Sequence, residues 1–185
     1  MIGYAMCGSF CTLKRSFDIM AELQKAHEIC PIMSEITYTT DTRFGTAQDH
    51  INQAEKLCGR SVIHTVAAAE PLGPAQPLQA LVICPCTGNT LAKMAQGITD
   101  TAVCMAAKAH LRSNRPLLIA LASNDAMSAN LSNIAALLNR KQVFFVPMHQ
   151  DDPVHKPHSL VADFSLVLPA LHAALEGHQL RPLFL

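Results

Sequence analysis

The chain alternates between short apolar runs and longer segments with apolar residues at helical spacing, and this alternation restricts the fold more than any other feature. Residues 78–84 contain an unbroken Ala-Leu-Val-Ile-Cys stretch, which predicts a strand that is buried on both faces. Residues 116–121 form a second run of this kind. Such strands, each followed by a helix, predict a parallel sheet with helices packed on both faces.

The same alternation continues along the whole chain. After the first apolar run, Leu13, Phe17, Met20 and Leu23 recur at helical spacing. The predicted strands are residues 2–7, 29–36, 61–67, 78–84, 116–121 and 143–146, and the predicted helices begin near residues 13, 47, 91, 131 and 165. No linker or repeat interrupts the pattern. We therefore expect one three-layer α/β domain over residues 1–185, with a parallel sheet covered on both faces.

The charge distribution excludes some classes of partner. Lys and Arg balance Asp and Glu, and no basic run is present, which argues against nucleic-acid binding. The apolar runs are much shorter than the roughly 20 residues that a membrane helix needs. The first residues carry no basic segment ahead of an apolar one, so no signal peptide is evident. We expect a cytoplasmic protein.

Seven cysteines raise the question of a metal site. In a reducing cytosol they are expected to stay thiols and to behave as small core residues. The spacings of Cys7 with Cys11 and of Cys84 with Cys86 differ from the paired C-x2-C pattern of structural zinc sites. Four sulfurs could still meet if both pairs end neighbouring strands. We favour thiols and predict no metal.

The turn after the first strand, Gly-Ser-Phe-Cys-Thr at residues 8–12 (the first turn), has two interpretations. Gly8 permits a sharp bend, and the unpaired amides at the start of the following helix suit a phosphate. Alternatively, Ser9 or Thr12 only caps that helix. The glycine-rich cradles of nucleotide-binding proteins, GxGxxG and the Walker sequence, are absent here.

A second turn, Cys-Thr-Gly-Asn-Thr at residues 86–90, joins a buried strand to the next helix. Small residues at positions 87 and 88 let backbone amides approach a flat ring or a carboxylate. Asn89 offers both a donor and an acceptor, as recognition of a heterocycle edge requires. Asn89 and Thr90 could instead only complete the turn. Because ligands of parallel sheets bind beyond the carboxyl ends of the strands, we expect both turns to shape one slot for a flat anion.

The second turn also carries a resemblance to a known family. With the helix that follows, it resembles the signature of the homo-oligomeric flavin-containing cysteine decarboxylase superfamily, through Pro85, Thr87, Asn89, Thr90, Lys93, Gly97, Ile98 and Asp100. Residues 124–130, Asn-Asp-Ala-Met-Ser-Ala-Asn, are similar to the substrate-recognition segment of that superfamily. The resemblance implies a flavodoxin-like or Rossmann-like flavoprotein fold, and FMN bound between the protomers of a trimer or a multiple of it.

The resemblance also implies roles for individual residues. It assigns cofactor binding to Gly8, Ser9, Phe10, Thr40, Cys86, Thr87, Asn89 and Thr90, and substrate binding to Asn124, Asp125, Met127 and Asn130. Two departures bear on the reaction. Leu-Ala-Ser at 121–123 stands where the decarboxylases have Pro-x-Met, and Cys86 and Gly88 replace alanines, so FMN could have been lost.

Other segments resemble one branch, the family of dipicolinate synthase B subunits: residues 40–45, 64–74, 146–153 and 156–162. The resemblance implies a component of an oxidoreductase that acts in sporulation with a dipicolinate synthase A subunit, which binds NAD(P), to dehydrogenate dihydrodipicolinate to dipicolinate. Arg43 could form a bidentate pair with a substrate carboxylate.

A second candidate loop contains Lys156 and three histidines. This loop could instead be a solvated segment. His64 suits the role of proton acceptor because imidazole titrates near neutral pH, although it could be structural.

Two other functions stay open at this point. One is a self-sufficient FMN enzyme that decarboxylates a cysteinyl substrate or prenylates flavin. The other is a scaffold protein that holds no cofactor and stabilises its partner. The segments shared with the dipicolinate synthase branch favour a role in that synthase over the first of these.

Overall fold

A computed structural model describes all 185 residues of the chain. The strands are β1 (Ile2–Met6), β2 (Ile29–Met33), β3 (Ala80–Cys86), β4 (Leu117–Ser123), β5 (Val143–Phe145), β6 (Met148–His149) and β7 (Leu160–Ala162). The helices are α1 (Leu13–Gln24), α2 (Glu35–Thr39), α3 (Ala47–Cys58), α4 (Val66–Ala69), α5 (Gly88–Gln96), α6 (Ala102–Leu111), α7 (Leu131–Leu138) and α8 (Val167–Leu175). No helix combines the length and the apolar character needed to cross a lipid bilayer.

The strands form one seven-stranded sheet. Its centre follows the order β2-β1-β3-β4, with β5 parallel to the first half of β4. The predicted parallel sheet is therefore confirmed for the first five strands. Beyond the end of β5, β7 pairs antiparallel with the last residues of β4, and β6 pairs antiparallel with β7. Residues 146–162 thus return along the sheet without a crossover helix, which the sequence pattern did not predict.

Side chains of the central strands alternate between two cores, one on each face of the sheet. Leu81 and Ile83 of β3 belong to the core that is shared with α5, α6 and α7. Val82 and Cys84 point the other way, into the core that is shared with α1, α3 and α8. The solid apolar run of β3 is thus explained, because both of its faces are covered. This arrangement confirms the predicted three layers.

The predicted strand at residues 61–67 is wrong in most of its length. Ile63 forms a single bridge to Ile32, and the chain then turns into α4. The turn is set by Thr65, whose hydroxyl accepts a hydrogen bond from the amide of Ala68 at 3.2 Å. Because the Thr65 side chain caps α4, the extended segment ends at His64.

Candidate functional site

A cavity of about 840 Å³ opens at the carboxyl ends of β1, β3 and β4. This edge is where parallel α/β sheets place their ligands. The lining is mostly polar and comes from four loops: Gly8, Ser9, Cys11, Thr12, Arg15, Thr87, Gly88, Asn89, Ala122, Ser123, Asn124, Asp125, Asp151, Lys156, Ser159 and Val161. The first and second turns therefore line the same cavity, as their positions after neighbouring strands predicted.

The first turn is fixed by hydrogen bonds within itself. The Thr12 hydroxyl donates to the Ser9 carbonyl oxygen at 2.8 Å, and the Ser9 amide donates to the Cys7 carbonyl oxygen. The Gly8 amide donates to no backbone acceptor. It therefore stays available to an anion in the cavity.

The second turn starts α5 in a similar way. The Thr87 hydroxyl caps the helix by accepting from the amide of Thr90 at 3.3 Å. The two helical residues before Thr90 are Gly88 and Asn89, and their amides have no partner within the helix. The start of α5 thus carries two amides that have no partner within the helix, on residues that line the cavity.

Cys7 holds the two turns next to each other. Its amide donates to the Pro85 carbonyl oxygen at 3.1 Å, and the Thr90 hydroxyl donates to its sulfur at 3.3 Å. Burial raises the pKa of the Cys7 thiol to about 12 and raises that of Cys86 well above its ordinary value. Both groups stay protonated at neutral pH and act as core residues beneath the cavity.

The four cysteines considered as metal ligands, Cys7, Cys11, Cys84 and Cys86, do not form a cluster. Cys7, Cys84 and Cys86 are buried, whereas Cys11 is exposed at the cavity. The structure contains no group of three or more His, Cys, Asp or Glu side chains that could hold a metal ion.

A third loop, residues 123–130, brings a carboxylate to the cavity. The Ser123 hydroxyl donates to one carboxylate oxygen of Asp125, and the side-chain amide of Asn130 donates to the other at 2.9 Å. The hydrogen bond from Ser123, with the one from Asn130, lowers the pKa of Asp125. Gly88 packs directly against this group, because a Cβ there would lie 2.7 Å from an Asp125 oxygen. Asp125 is thus an ionised group that faces the second turn.

Two cations from different parts of the chain line the cavity. Arg15 comes from the first turn of α1, and Lys156 comes from the loop at residues 150–159. Lys156 donates to Asp151 at 2.8 Å, which raises the pKa of the lysine and lowers that of the aspartate. Arg15 was not among the residues predicted from the sequence. Its position three residues after Thr12, beside a candidate anion site, was the available indication.

The residues proposed from the sequence fall into three groups. Those that line the cavity are Gly8, Ser9, Thr87, Asn89, Asn124 and Asp125. Those that belong to the same three loops without lining the cavity themselves are Phe10, Cys86, Thr90, Met127 and Asn130. Those that lie on other loops are Thr40, Arg43 and His64. Their functional roles stay predictions.

Arg43 and His64 make local contacts outside the cavity. The guanidinium of Arg43 lies 4.8 Å above the ring of Phe44, at the tip of a tight turn. The ring of His64 stacks on Tyr38 with 3.7 Å between ring centroids and 9° between planes. His64 therefore has a fixed orientation at the carboxyl edge of the sheet, beyond β2.

Comparison with known proteins places the chain among flavoproteins. The family model described as "Flavoprotein" matches residues 2–164. The B subunit of dipicolinate synthase from Bacillus subtilis (strain 168) is 40% identical over 183 residues, which cover 98% of this chain and 92% of that protein.

Solved structures give the same result. The crystal structure of the dipicolinate synthase B subunit from Bacillus halodurans C superposes with a TM-score of 0.91 at 36% identity, covering 100% of this chain and 95% of that one. The FMN-dependent cysteine decarboxylase SpaF shares the fold, with a TM-score of 0.69 at 24% identity over 94% of this chain and 95% of that one.

The environment of Asp125 leads to a testable prediction. Replacing Ser123 with Ala removes the main hydrogen bond to the carboxylate, so the pKa of Asp125 should rise toward its ordinary value. Carboxyl chemical shifts in an NMR pH titration measure this change. Because the folded-state pKa lies below the unfolded one, the carboxylate stabilises the fold at neutral pH, and this stability is lost as pH falls through the folded pKa. Ser123→Ala should reduce that loss.

Ser128 provides the matched control, since its hydroxyl donates to the backbone carbonyl of Asp125 and not to the carboxylate. Ser128→Ala should leave the pKa of Asp125 unchanged. An equal shift in both variants would contradict the assignment of the shift to Ser123.

Proposed function

This chain belongs to the flavoprotein family, in the branch of the dipicolinate synthase B subunits, and we propose that it is the B subunit of a dipicolinate synthase. In this proposal it acts with an A subunit, which carries NAD(P), to dehydrogenate dihydrodipicolinate to dipicolinate in sporulating cells. The observation that carries the proposal is the single cavity in which two amide-rich turns meet Arg15 and Lys156. Amides and cations are the groups that bind a flat molecule with two carboxylates.

FMN also fits the chemistry of this cavity, and we include it in the proposal. The first turn would hold the phosphate through the Gly8 amide and the Ser9 hydroxyl, and Asn89 would bind the edge of the ring. When bound, FMN would supply a redox-active ring. Thr40 and Phe10, which the family resemblance adds to this set, do not line the cavity of one chain.

The surface around the first turn supports assembly into a homo-oligomer. Ile36 is 54% exposed, and its side chain packs next to Gly8 at the mouth of the cavity. Phe44, nearby in sequence, is 46% exposed. Large apolar side chains exposed near a cavity favour its closure by a neighbouring protomer. A trimer, or a multiple of it, is the assembly that we propose.

Substrate binding is assigned to the cations inside the cavity. Lys156 already pairs with Asp151, whereas Arg15 makes no ion pair within the chain. Arg15 is therefore the cation in the cavity that has no ion pair and could form one with a substrate carboxylate. Asn124, exposed in the third loop, can donate to the second carboxylate. Arg43 stays a predicted substrate contact. Because it does not line the cavity of its own chain, it would have to reach the cavity of a neighbouring protomer.

Dehydrogenation needs an acceptor for the proton that leaves as hydride passes to the nicotinamide of the partner protein. Asp125 is an ionised carboxylate in the cavity, held in place by Ser123 and Asn130. His64, the acceptor predicted from the sequence, is well oriented by Tyr38 but lies on another loop. The geometry of one chain favours Asp125.

A self-sufficient decarboxylase is the less favoured function. The decarboxylases with this fold are distant from the chain, and Leu121, Ala122 and Ser123 stand where those enzymes have Pro-x-Met. A scaffold role is opposed by the number of polar and ionised groups in the cavity. A protein that only stabilises a partner has no need of an ionised Asp125 held by two donors.

Replacing Arg15 with Gln tests the substrate assignment. Purified chain is mixed with the dehydrogenase partner, the A subunit, and dipicolinate formation is followed by terbium luminescence. Loss of a charge-assisted contact should lower kcat/KM about tenfold to a hundredfold. Lys14→Gln, an exposed neighbour outside the cavity, is the control and should behave as wild type. If the dehydrogenase partner without this chain forms dipicolinate at the full rate, the proposed function is wrong.

The identity of the proton acceptor is tested in the same assay. Asp125→Asn should lower kcat about a hundredfold or more, the usual contribution of a general base, while His64→Gln should change kcat only slightly. Circular dichroism confirms that both variants are folded. The opposite pattern, with kcat lost only in His64→Gln, would transfer the role to His64.

Binding of FMN is measured by the quenching of its fluorescence on titration with purified chain. Asn89→Ala should weaken binding about tenfold, because the ring edge loses its hydrogen bonds. Gln96→Ala, exposed at the far end of the same helix, should bind FMN as wild type does. The absence of saturable quenching with the wild-type chain would exclude FMN from the proposal.

A further inference from the structure

A second cavity lies at the other end of the sheet, against the start of β4. Its volume is about 330 Å³. The lining comes from the end of α5, one side of α6, the end of α7, the residues that follow these helices, and the start of β4: Met94, Gly97, Ile98, Thr99, Cys104, Ala107, Lys108, Leu111, Arg112, Leu117, Leu137 and Arg140. None of these residues belongs to the cavity formed by the first and second turns. The two sites are therefore independent.

The second cavity lies beside the C-terminal end of α5. This helix packs against both α6 and α7 and separates them. It ends after nine residues at Gly97, which adopts the left-handed conformation at φ 74°. The amides of Gly97 and Ile98 then close the helix by donating back to Met94 and Lys93. The residues at and after this stop, Gly97, Ile98 and Thr99, line the second cavity.

The floor of the second cavity is apolar. Leu117 and Leu137 are fully buried and form its base, and Met94 is almost fully buried at its side. Leu111 and Ile98 are more exposed and lie nearer the opening. An apolar floor of this kind gains free energy when a hydrocarbon or aromatic group displaces water from it.

The rim carries three cations and no carboxylate. Lys108, Arg112 and Arg140 line the second cavity, and none of them forms an ion pair. Arg140 is held in place because it donates to the Met94 carbonyl oxygen at 3.1 Å. Its other donors stay free. An Arg that is fixed and has free donors binds a carboxylate or sulfonate with a smaller entropy loss than a mobile one.

We propose that this second cavity binds a small apolar anion, a molecule with an aromatic or branched aliphatic body and one carboxylate. The body would occupy the space above Leu117 and Leu137, and the carboxylate would lie between Arg112 and Arg140. The volume is within the range of small-molecule sites. Polar ligands such as sugar phosphates would leave their hydroxyl groups unpaired against the leucines. The proposal is independent of the function assigned to the other cavity.

The fluorescent probe 1-anilinonaphthalene-8-sulfonate tests the proposal, because it joins an apolar body to one anionic group. The full chain contains no Trp, so protein emission does not overlap with excitation of the probe. Wild-type chain should bind the probe in a saturable manner, and benzoate in excess should displace it. The double variant Arg112→Gln, Arg140→Gln should bind about tenfold or more weakly. Arg15→Gln, in the other cavity, should bind as wild type does.

Methyl NMR spectra of the same complexes locate the probe. Resonances of Met94, Leu111 and Leu137 should shift on binding, whereas that of Val161, in the other cavity, should not. The proposal is wrong if wild-type chain binds no probe, if the double variant binds it with unchanged affinity, or if only Val161 shifts. Circular dichroism establishes that the variants keep the fold, and substitution of exposed side chains is expected to preserve it.

Discussion

The parallel pairing of β1 with β3 is the interaction on which the candidate site depends. It aligns Ile2 with Ala80 and Ala5 with Ile83, so the two strands start at the same level and their carboxyl ends lie at the same edge of the sheet, with β3 the longer of the two. The bond between the Thr90 hydroxyl and the sulfur of Cys7 then ties the start of α5 to the end of β1. If this register changed, the first and second turns would no longer open into one space. The apolar alternation that fixes the register therefore also fixes the site.

The polar groups of the cavity are rigid because they bind one another. Ser123, Asp125 and Asn130 form one hydrogen-bonded set, and Gly88 is close enough that any side chain there would displace it. The residues that would contact a ligand are thus different from the residues that hold those side chains in position. Asn130 is 5% exposed and acts on Asp125, although its position in a family motif suggests direct contact with substrate. Pre-oriented groups of this kind lose little freedom when a ligand binds.

Much of the fold could be predicted from the sequence, because the spacing of apolar residues indicates whether a segment is a helix or a strand and which of its faces are buried. The helix α3 begins at the predicted residue, and the solid run of β3 correctly indicated burial on both faces. The strand predicted at residues 61–67 failed because the Thr65 cap is a local hydrogen bond that periodicity does not report. The antiparallel return of β6 and β7 was missed because its short strands lack a distinct pattern.

The layers, the two turns after β1 and β3, and the family resemblance could be predicted from the sequence, because they depend on residue types close together in the chain. Tertiary structure alone decided which charged groups meet there. Arg15 and Lys156 are far apart in sequence and reach one cavity, while Arg43 and His64 lie on other loops. Hydrogen bonds and ion pairs form only when two groups come within a few ångströms of each other, and the distance between loops is set by the packing of the whole sheet.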